Sequence, residues 1–143
     1  MISKIKHIQC RVFEKLLTKY NFNQFNGAQG RILHVLWQDD NIPISELSDK
    51  TGFAKTTLTS MLDRLEASGY VQRIFDPNDR RKINIKLTES SNKLKSRYDE
   101  VSLRMNEIFY DGFTDDEITN FENCLSRILD NLKKKEAQKF FLE

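Results

Sequence analysis

Apolar side chains recur with helical spacing at the beginning of the chain. They lie three or four positions apart at Ile5, Ile8, Val12, Leu16 and Tyr20. This spacing predicts an amphipathic helix over residues 2–20 that is hydrophobic along one stripe and basic on the opposite face. After a polar connection at 21–27, a second and shorter run of the same kind predicts a helix from Ala28 to about Asp39.

Two short helices joined by a tight reversal are predicted in the middle of the chain. The first covers 44–52, with Ser45 as its capping residue and Gly52 as its stop. The second covers 55–68 and ends at Gly69. Its apolar residues share one face and are Leu58, Met61, Leu62 and Leu65. Two short helices connected in this way form a helix-turn-helix.

A β-hairpin is predicted after the second of these helices. Residues 70–75 are rich in β-branched and aromatic side chains, and apolar and polar residues alternate over 83–87. The connection at 76–82 contains Pro77 and Asn78, which favour a turn, and it ends with three consecutive cations.

Two long helices are predicted to complete the chain. The first covers 88–111, with a heptad-like seam at Leu94, Tyr98, Val101, Met105 and Ile108. After Gly112, Thr114 and Glu117 form a capping box that begins the last helix. We expect a buried stripe along this helix, formed by Ile118, Phe121, Leu125, Ile128 and Leu132.

Length and composition exclude several classes of protein. The 143 residues, 38% of them hydrophobic, suffice for one ordinary domain. The sequence has no long apolar run and no signal segment, which predicts a soluble, cytoplasmic protein with no membrane contact. Cys10 and Cys124 lack metal-ligand spacing, so we expect neither disulfide, metal nor cofactor. No nucleophile–base pair or glycine-rich phosphate loop is recognisable, which indicates that the protein is not an enzyme.

Charge is distributed unevenly along the chain. The formal net charge is +2, and it divides into +3 over 1–43, +2 over 44–88 and −3 over 89–143. A basic front half permits binding to a polyanion, although a charge of this size does not establish it.

The polar helix and the cationic hairpin together point to DNA. A helix fits the major groove, where Thr56, Thr57 and Ser60 can approach base edges and phosphates. Two cations of the same helix, Lys55 and Arg64, are candidates for phosphate contacts. The hairpin turn carries Arg80, Arg81 and Lys82, and Arg80 or Arg81 is placed to enter the narrow and negative minor groove.

The segment from Ile44 to Thr88 closely resembles the MarR family of bacterial transcriptional regulators. The resemblance is carried by four runs of residues, which are Leu47-Ser48-Asp49-Lys50-Thr51-Gly52, Thr57-Leu58-Thr59, Leu62-Asp63-Arg64-Leu65-Glu66-Ala67-Ser68-Gly69-Tyr70-Val71, and Asp79-Arg80-Arg81 followed by Leu87-Thr88. The flanking helices agree in number, order and length, so the resemblance covers nearly the whole chain.

This resemblance implies a mainly α fold with a small β-hairpin, a winged helix-turn-helix whose flanking helices form an intertwined dimerisation domain. Residues 1–143 would then form a single domain, with DNA binding by 28–88 and dimerisation by 1–27 and 89–143. It also implies that 55–68 is the recognition helix, that Arg81 enters the minor groove, and that Asp79 orients the wing through an ion pair. Two departures from the family pattern are Ala54, where a capping Ser or Thr is common, and Ser60, where Arg is frequent.

Several residues admit two interpretations. Phe13, His34 and Trp37, with Phe22 and Phe25, surround the expected junction of the first two helices, where they form either an effector pocket or ordinary core.

Cys10 is either a redox-sensing thiol or inert, and Cys124 is expected to be a core or edge-packing residue. Arg64 either contacts DNA or pairs locally with Asp63 or Glu66.

The sequence therefore predicts a homodimeric regulator, a repressor that binds an operator in double-stranded DNA and is released by a small aromatic or lipophilic effector. Two alternatives remain, a winged-helix protein-interaction module and a redox-sensing regulator that uses Cys10.

Overall fold

The computed structural model describes residues 1–138, which form seven α-helices and three short β-strands. The helices are α1 (Ile2–Lys19), α2 (Gly27–Gln38), α3 (Ile44–Thr51), α4 (Lys55–Ala67), α5 (Glu89–Asn92), α6 (Lys95–Phe109) and α7 (Asp115–Glu136), and the strands are β1 (Ile42–Pro43), β2 (Val71–Phe75) and β3 (Ile83–Leu87). This confirms the prediction of a mainly helical fold. One compact unit comprises Met1–Met105, and a second begins at Asn106.

Helices α2, α3 and α4 share the core of the first unit. Leu58, Leu62 and Leu65 recur on one face of α4 and are almost completely buried. Fully buried side chains of α2 and α3 accompany them, namely Ile32, Leu33, Leu36 and Leu47. Gly52 ends α3 with a φ of 76°, a left-handed conformation that glycine adopts without a steric penalty. The predicted helix-turn-helix is therefore confirmed.

The beginning of α3 differs from the prediction. The helix starts at Ile44 with Pro43 as its N-cap residue, and no side chain caps it. The prediction that Ser45 caps this helix is wrong, because strand β1 ends at Pro43 and the chain turns directly into the helix there. Ser45 consequently lies exposed in the first turn of α3.

The three strands form one antiparallel sheet in the order β1-β3-β2. The predicted hairpin is confirmed, with a register that runs from Val71 opposite Leu87 to Phe75 opposite Ile83. Strand β1 was not predicted and pairs Pro43 with Asn84. An edge strand tolerates a proline because the missing N–H can face outward from the sheet.

The predicted helix over 88–111 is interrupted. It consists of α5 and α6, which are separated by a turn at Lys93 and Leu94. Ser91 is completely buried and its hydroxyl donates to the backbone oxygen of Thr88 at 2.6 Å. Serine and asparagine compete for backbone hydrogen bonds in this way, and a segment rich in them forms a poor helix interior.

The second unit contains the end of α6 and helix α7. The predicted capping box is confirmed, since the Thr114 hydroxyl accepts from the Glu117 N–H at 3.2 Å and the Glu117 carboxylate accepts from the Thr114 N–H at 2.8 Å. The Tyr110 hydroxyl donates to Glu122 at 2.8 Å, which ties the turn before α7 to the second turn of that helix.

The stripe on α7 is not buried in the single chain, contrary to the prediction. Phe121, Leu125, Ile128 and Leu132 are 38%, 40%, 47% and 62% exposed, and Ile118 is half-buried. On α1, Ile5 and Ile8 are also exposed, whereas Leu16 is buried. A soluble chain rarely leaves a continuous apolar stripe of this length in water. No helix among residues 1–138 is both long and apolar enough to span a bilayer.

Candidate nucleic-acid interface

Helix α4 presents a polar face to solvent. All five of its candidate contact residues are exposed, namely Lys55, Thr56, Thr57, Ser60 and Arg64. The opposite face is anchored in the core through Leu58, Leu62 and Leu65. Because the buried leucines fix the rotation of the helix about its axis, the outward direction of the polar residues follows from the packing.

The first turn of α4 has no side-chain cap. Ala54 occupies the N-cap position with φ −62° and ψ 148°, and its methyl side chain cannot accept a hydrogen bond from the helix N–H groups. This confirms the expectation of a weakly capped start. The exposed N–H groups leave a partial positive charge at this end of the helix.

Two aspartates hydrogen-bond within the turn between β2 and β3, which we call the wing tip. Asp76 accepts from the Asn78 N–H at 2.8 Å, and Asp79 accepts from the Arg81 N–H at 3.0 Å. The Asp79 carboxylate also binds Nε of Arg81 at 3.2 Å. The Arg81 side chain remains 92% exposed, so the guanidinium that contacts Asp79 extends into solvent, and the orienting role of Asp79 stays a prediction. Arg80 and Lys82 are exposed beside it.

Arg73 of β2 joins the sheet to α4, and sequence reasoning missed it. Its guanidinium lies 2.7 Å from Asp63 and 3.1 Å from Glu66, and it donates to the backbone oxygen of Thr59 at 3.3 Å. The Glu66 carboxylate additionally accepts from the Arg73 N–H at 2.9 Å. Strand alternation places Arg73 on the same side as buried Val71, and this signal could have indicated that it faces α4.

The acidic residues that could have paired with Arg64 are engaged elsewhere. Asp63 and Glu66 both bind Arg73. Within residues 1–138, Arg64 forms no ion pair, and its side chain is exposed. Its phosphate role therefore stays a prediction, and the local pairing is not observed.

A cationic cleft lies between the helices and the wing. Its volume is about 260 Å³, and it is lined by the beginnings of α3 and α4 and by the start of β3. The polar lining consists of Ser45, Lys55, Arg81 and Lys82. The cleft thus joins cations from the helix and from the wing, two regions that the sequence analysis treated separately.

The candidate effector residues surround Tyr98 of α6. The rings of Phe13, His34 and Trp37 lie 5.8, 5.9 and 5.3 Å from the Tyr98 ring, centroid to centroid. A Cβ on Gly30 would lie 2.7 Å from Cε2 of Tyr98, so this close packing requires glycine there. The structure therefore brings the predicted residues together, with a tyrosine ring among them.

Burial raises the pKa of Tyr98 to about 12, and the hydrogen bond with Ser102 opposes this shift. The Nε1 donor of Trp37 is buried and has no hydrogen-bond partner within residues 1–138. A buried donor without a partner has a desolvation cost, which an acceptor group placed beside it would offset.

Both cysteines are free and exposed. The prediction that Cys124 is a core or edge-packing residue is wrong for the single chain, because Cys124 is exposed and α7 has no buried residue there. The redox role considered for Cys10 stays a prediction. Among residues 1–138, no group of three or more histidine, cysteine or acidic side chains could hold a metal ion.

These features define a winged helix-turn-helix protein, with α3 and α4 as the two helices and β2–β3 as the wing. The MarR family profile matches residues 25–83. The HTH-type transcriptional regulator YsmB of Bacillus subtilis is 30% identical over 139 residues, which cover 92% of this chain and 90% of that protein. The chain belongs to the MarR family of transcriptional regulators.

Solved structures agree with this assignment. A MarR transcriptional regulator from Methanosarcina mazei Go1 has a TM-score of 0.80 and 27% identity, and the match covers 93% of this chain and 94% of that one. A variant of MarR from E. coli, solved in complex with operator DNA, has a TM-score of 0.74 and 26% identity, with 90% and 93% of the two chains covered.

Proposed function

We propose that the protein is a homodimeric regulator that binds a specific sequence in double-stranded DNA, with α4 in the major groove and the wing in the minor groove. The observation that carries this proposal is the arrangement of Arg73, which holds α4 against β2, the first strand of the wing. The polar face of α4 and the Arg81 guanidinium therefore form one preorganised surface, and little ordering remains to be done on binding.

The contacts divide by chemistry. Thr56, Thr57 and Ser60 are short enough to approach base edges, whereas Lys55 and Arg64 carry the charge that phosphates attract. Arg81, oriented by Asp79, has the reach for the minor groove, where the negative potential favours a guanidinium. The similar MarR variant from E. coli was solved in complex with operator DNA, which supports duplex DNA as the partner.

The exposed apolar side chains support the proposed dimer. The stripe on α7 and the exposed isoleucines Ile5 and Ile8 on α1 offer surface that a second copy of the chain would remove from water. In this proposal 28–88 binds DNA, while 1–27 and 89–143 dimerise. Two recognition helices related by a twofold axis read a pseudo-palindrome whose half-sites are ~10 bp apart.

The proposed regulatory outcome is repression by occupation of a promoter, and an effector relieves it. An effector that binds near Phe13, His34 and Trp37 has to displace or repack the Tyr98 ring, which joins α6 to α1 and α2. Repacking there would change the spacing of the two recognition helices, and a preference of a few kcal/mol for one geometry suffices for release. We place the protein in the cytoplasm, in keeping with its membership of a family of transcriptional regulators.

Selection of duplexes from a random pool tests the proposed function. We expect the wild-type protein to enrich one pseudo-palindromic sequence. The Ser60→Ala variant should enrich an altered half-site, because a base-facing residue determines preference more than overall affinity. Recovery of no duplex would overturn the proposal and favour a protein-interaction module.

A further inference from the structure

The cleft between the helices and the wing contains cations that the fold itself does not use. Lys55 begins α4 and Lys82 precedes β3, and both line the cleft. Neither forms an ion pair within residues 1–138, although acidic residues neutralise Lys50, Arg73 and Arg81. The two ammonium groups are therefore available to an anion from outside the chain.

Ser45 adds a hydrogen-bond donor to the same cleft. It does not cap α3, and its hydroxyl forms no hydrogen bond with any residue in 1–138. The cleft volume of about 260 Å³ is several times the ~30 Å³ that a water molecule occupies in the liquid. An oxygen-rich anion with its hydration can enter a cleft of this size.

The geometry of DNA indicates which anion this is. Each sugar–phosphate strand of a duplex forms the boundary between the major groove and the minor groove. A protein that places a helix in one groove and a wing in the neighbouring groove must therefore straddle one strand. The cleft lies between the beginning of α4 and the wing, where that strand has to pass.

We propose that this cleft binds a single phosphate of the DNA backbone, shared by Lys55 and Lys82, with Ser45 donating a hydrogen bond to it. The inference rests on the proposed function, and it states which contact fixes the position of the protein along the DNA strand. Phosphate contacts position a protein, while base contacts specify the sequence. The cleft thus fixes how far α4 and Arg81 extend into their respective grooves.

Sharing one phosphate has a measurable consequence for the salt dependence. Log affinity decreases linearly with log salt, and the slope becomes steeper by about 0.9 for each phosphate that the protein neutralises. If both lysines contact one phosphate, the Lys55→Ala and Lys82→Ala variants should each retain most of the slope, and the double variant should lose about 0.9. If they contact separate phosphates, each single variant loses about 0.9 and the double variant loses about 1.8.

The experiment measures the affinity for the selected duplex as a function of salt for the wild type, both single variants and the double variant. Lys86→Ala is the matched control, because Lys86 is exposed on β3 but points to the face opposite Ile85 and does not line the cleft. All these residues are exposed, and equal thermal unfolding midpoints verify that the variants fold.

A second measurement locates the phosphate. Duplexes that carry one uncharged methylphosphonate at successive positions should weaken wild-type binding at one position in each half-site, and the double variant should be insensitive there. Ser45→Ala should also weaken binding to the unmodified duplex, and it should weaken binding less to the duplex that carries the methylphosphonate at that position.

Three outcomes would overturn the assignment of the cleft while duplex binding persists. They are that each of the two single variants loses a full phosphate's share of the slope, that Lys86→Ala changes the slope as much as they do, or that no single methylphosphonate weakens binding. Absence of duplex binding overturns the proposed function as well, so the two failures are distinguishable.

Discussion

Nη2 of Arg73 lies 2.7 Å from Oδ1 of Asp63, which joins β2, the first strand of the wing, to helix α4. The Arg73 side chain is only 17% exposed, and Nη1 reaches Glu66 at 3.1 Å. A planar guanidinium can satisfy several acceptors at fixed angles, which a lysine ammonium cannot. Helix α4 and the wing are thereby held as one body.

Loss of this guanidinium should destabilise the fold. We expect Arg73→Ala to lower the free energy of unfolding by about 1 kcal/mol, since charge-assisted hydrogen bonds are lost while water rehydrates the exposed carboxylates of Asp63 and Glu66. Urea denaturation measures the change. Arg73→Lys should recover only part of it, and Arg64→Ala, at an exposed cation without an ion pair in 1–138, should change stability by less than ~0.5 kcal/mol. Equal effects of Arg73→Ala and Arg64→Ala would contradict the account.

The start of α4 offers a stabilising substitution. Ala54 has the extended backbone conformation of an N-cap residue but no side-chain acceptor. Ala54→Ser should therefore raise the free energy of unfolding by about 1 kcal/mol. The control is Ala67→Ser at the other end of the same helix, where a serine caps nothing. A gain that is the same at both positions, or no gain at Ala54, argues against the capping explanation.

The sequence predicted the helix boundaries that depend on residues close to one another in the chain. The buried leucines and Gly69 defined α4, and Thr114 with Glu117 defined the start of α7. Asp79 and Arg81 were placed through the family resemblance, and the structure shows them in contact.

The features that depend on distant partners were not predicted. Arg73 acquires its role through residues seven to fourteen positions away, and strand β1 exists only because Ile42 meets Ile85. The break at Lys93 depends on a buried serine that pattern reasoning does not distinguish from an exposed one. The stripe on α7 was correctly located as apolar, but periodicity cannot tell which chain covers it.

Tyr98 gives the fold a dependence on alkaline pH. Burial raises its pKa to about 12, whereas an exposed tyrosine ionises near 10. Between these values the unfolded chain loses the proton first, so stability decreases as pH rises. We expect the wild type to lose about 1 kcal/mol more than Tyr98→Phe between pH 9 and pH 11. Denaturant titration at several pH values measures this difference, and parallel curves for the two proteins would show that Tyr98 is not responsible.

The exposed stripe on α7 predicts the oligomeric state. Wild-type protein should sediment as a particle of twice the 16.9 kDa of one chain. Leu125→Asp combined with Ile128→Asp should yield single chains, because two carboxylates would lie within the covered apolar surface. Asn123→Asp, on the polar side of the same helix, should leave the dimer intact. A wild-type protein that sediments as one chain would refute the proposed dimer.

The salt dependence of duplex affinity tests the central claim most directly. The account predicts tight binding at about 50 mM salt and a steep, linear fall of log affinity with log salt up to about 200 mM. It also predicts that Arg81→Ala, which removes the guanidinium that contacts Asp79, weakens binding and makes the slope shallower by ~1. Absence of duplex binding, or binding whose strength and salt slope are the same in wild type and Arg81→Ala, would contradict it.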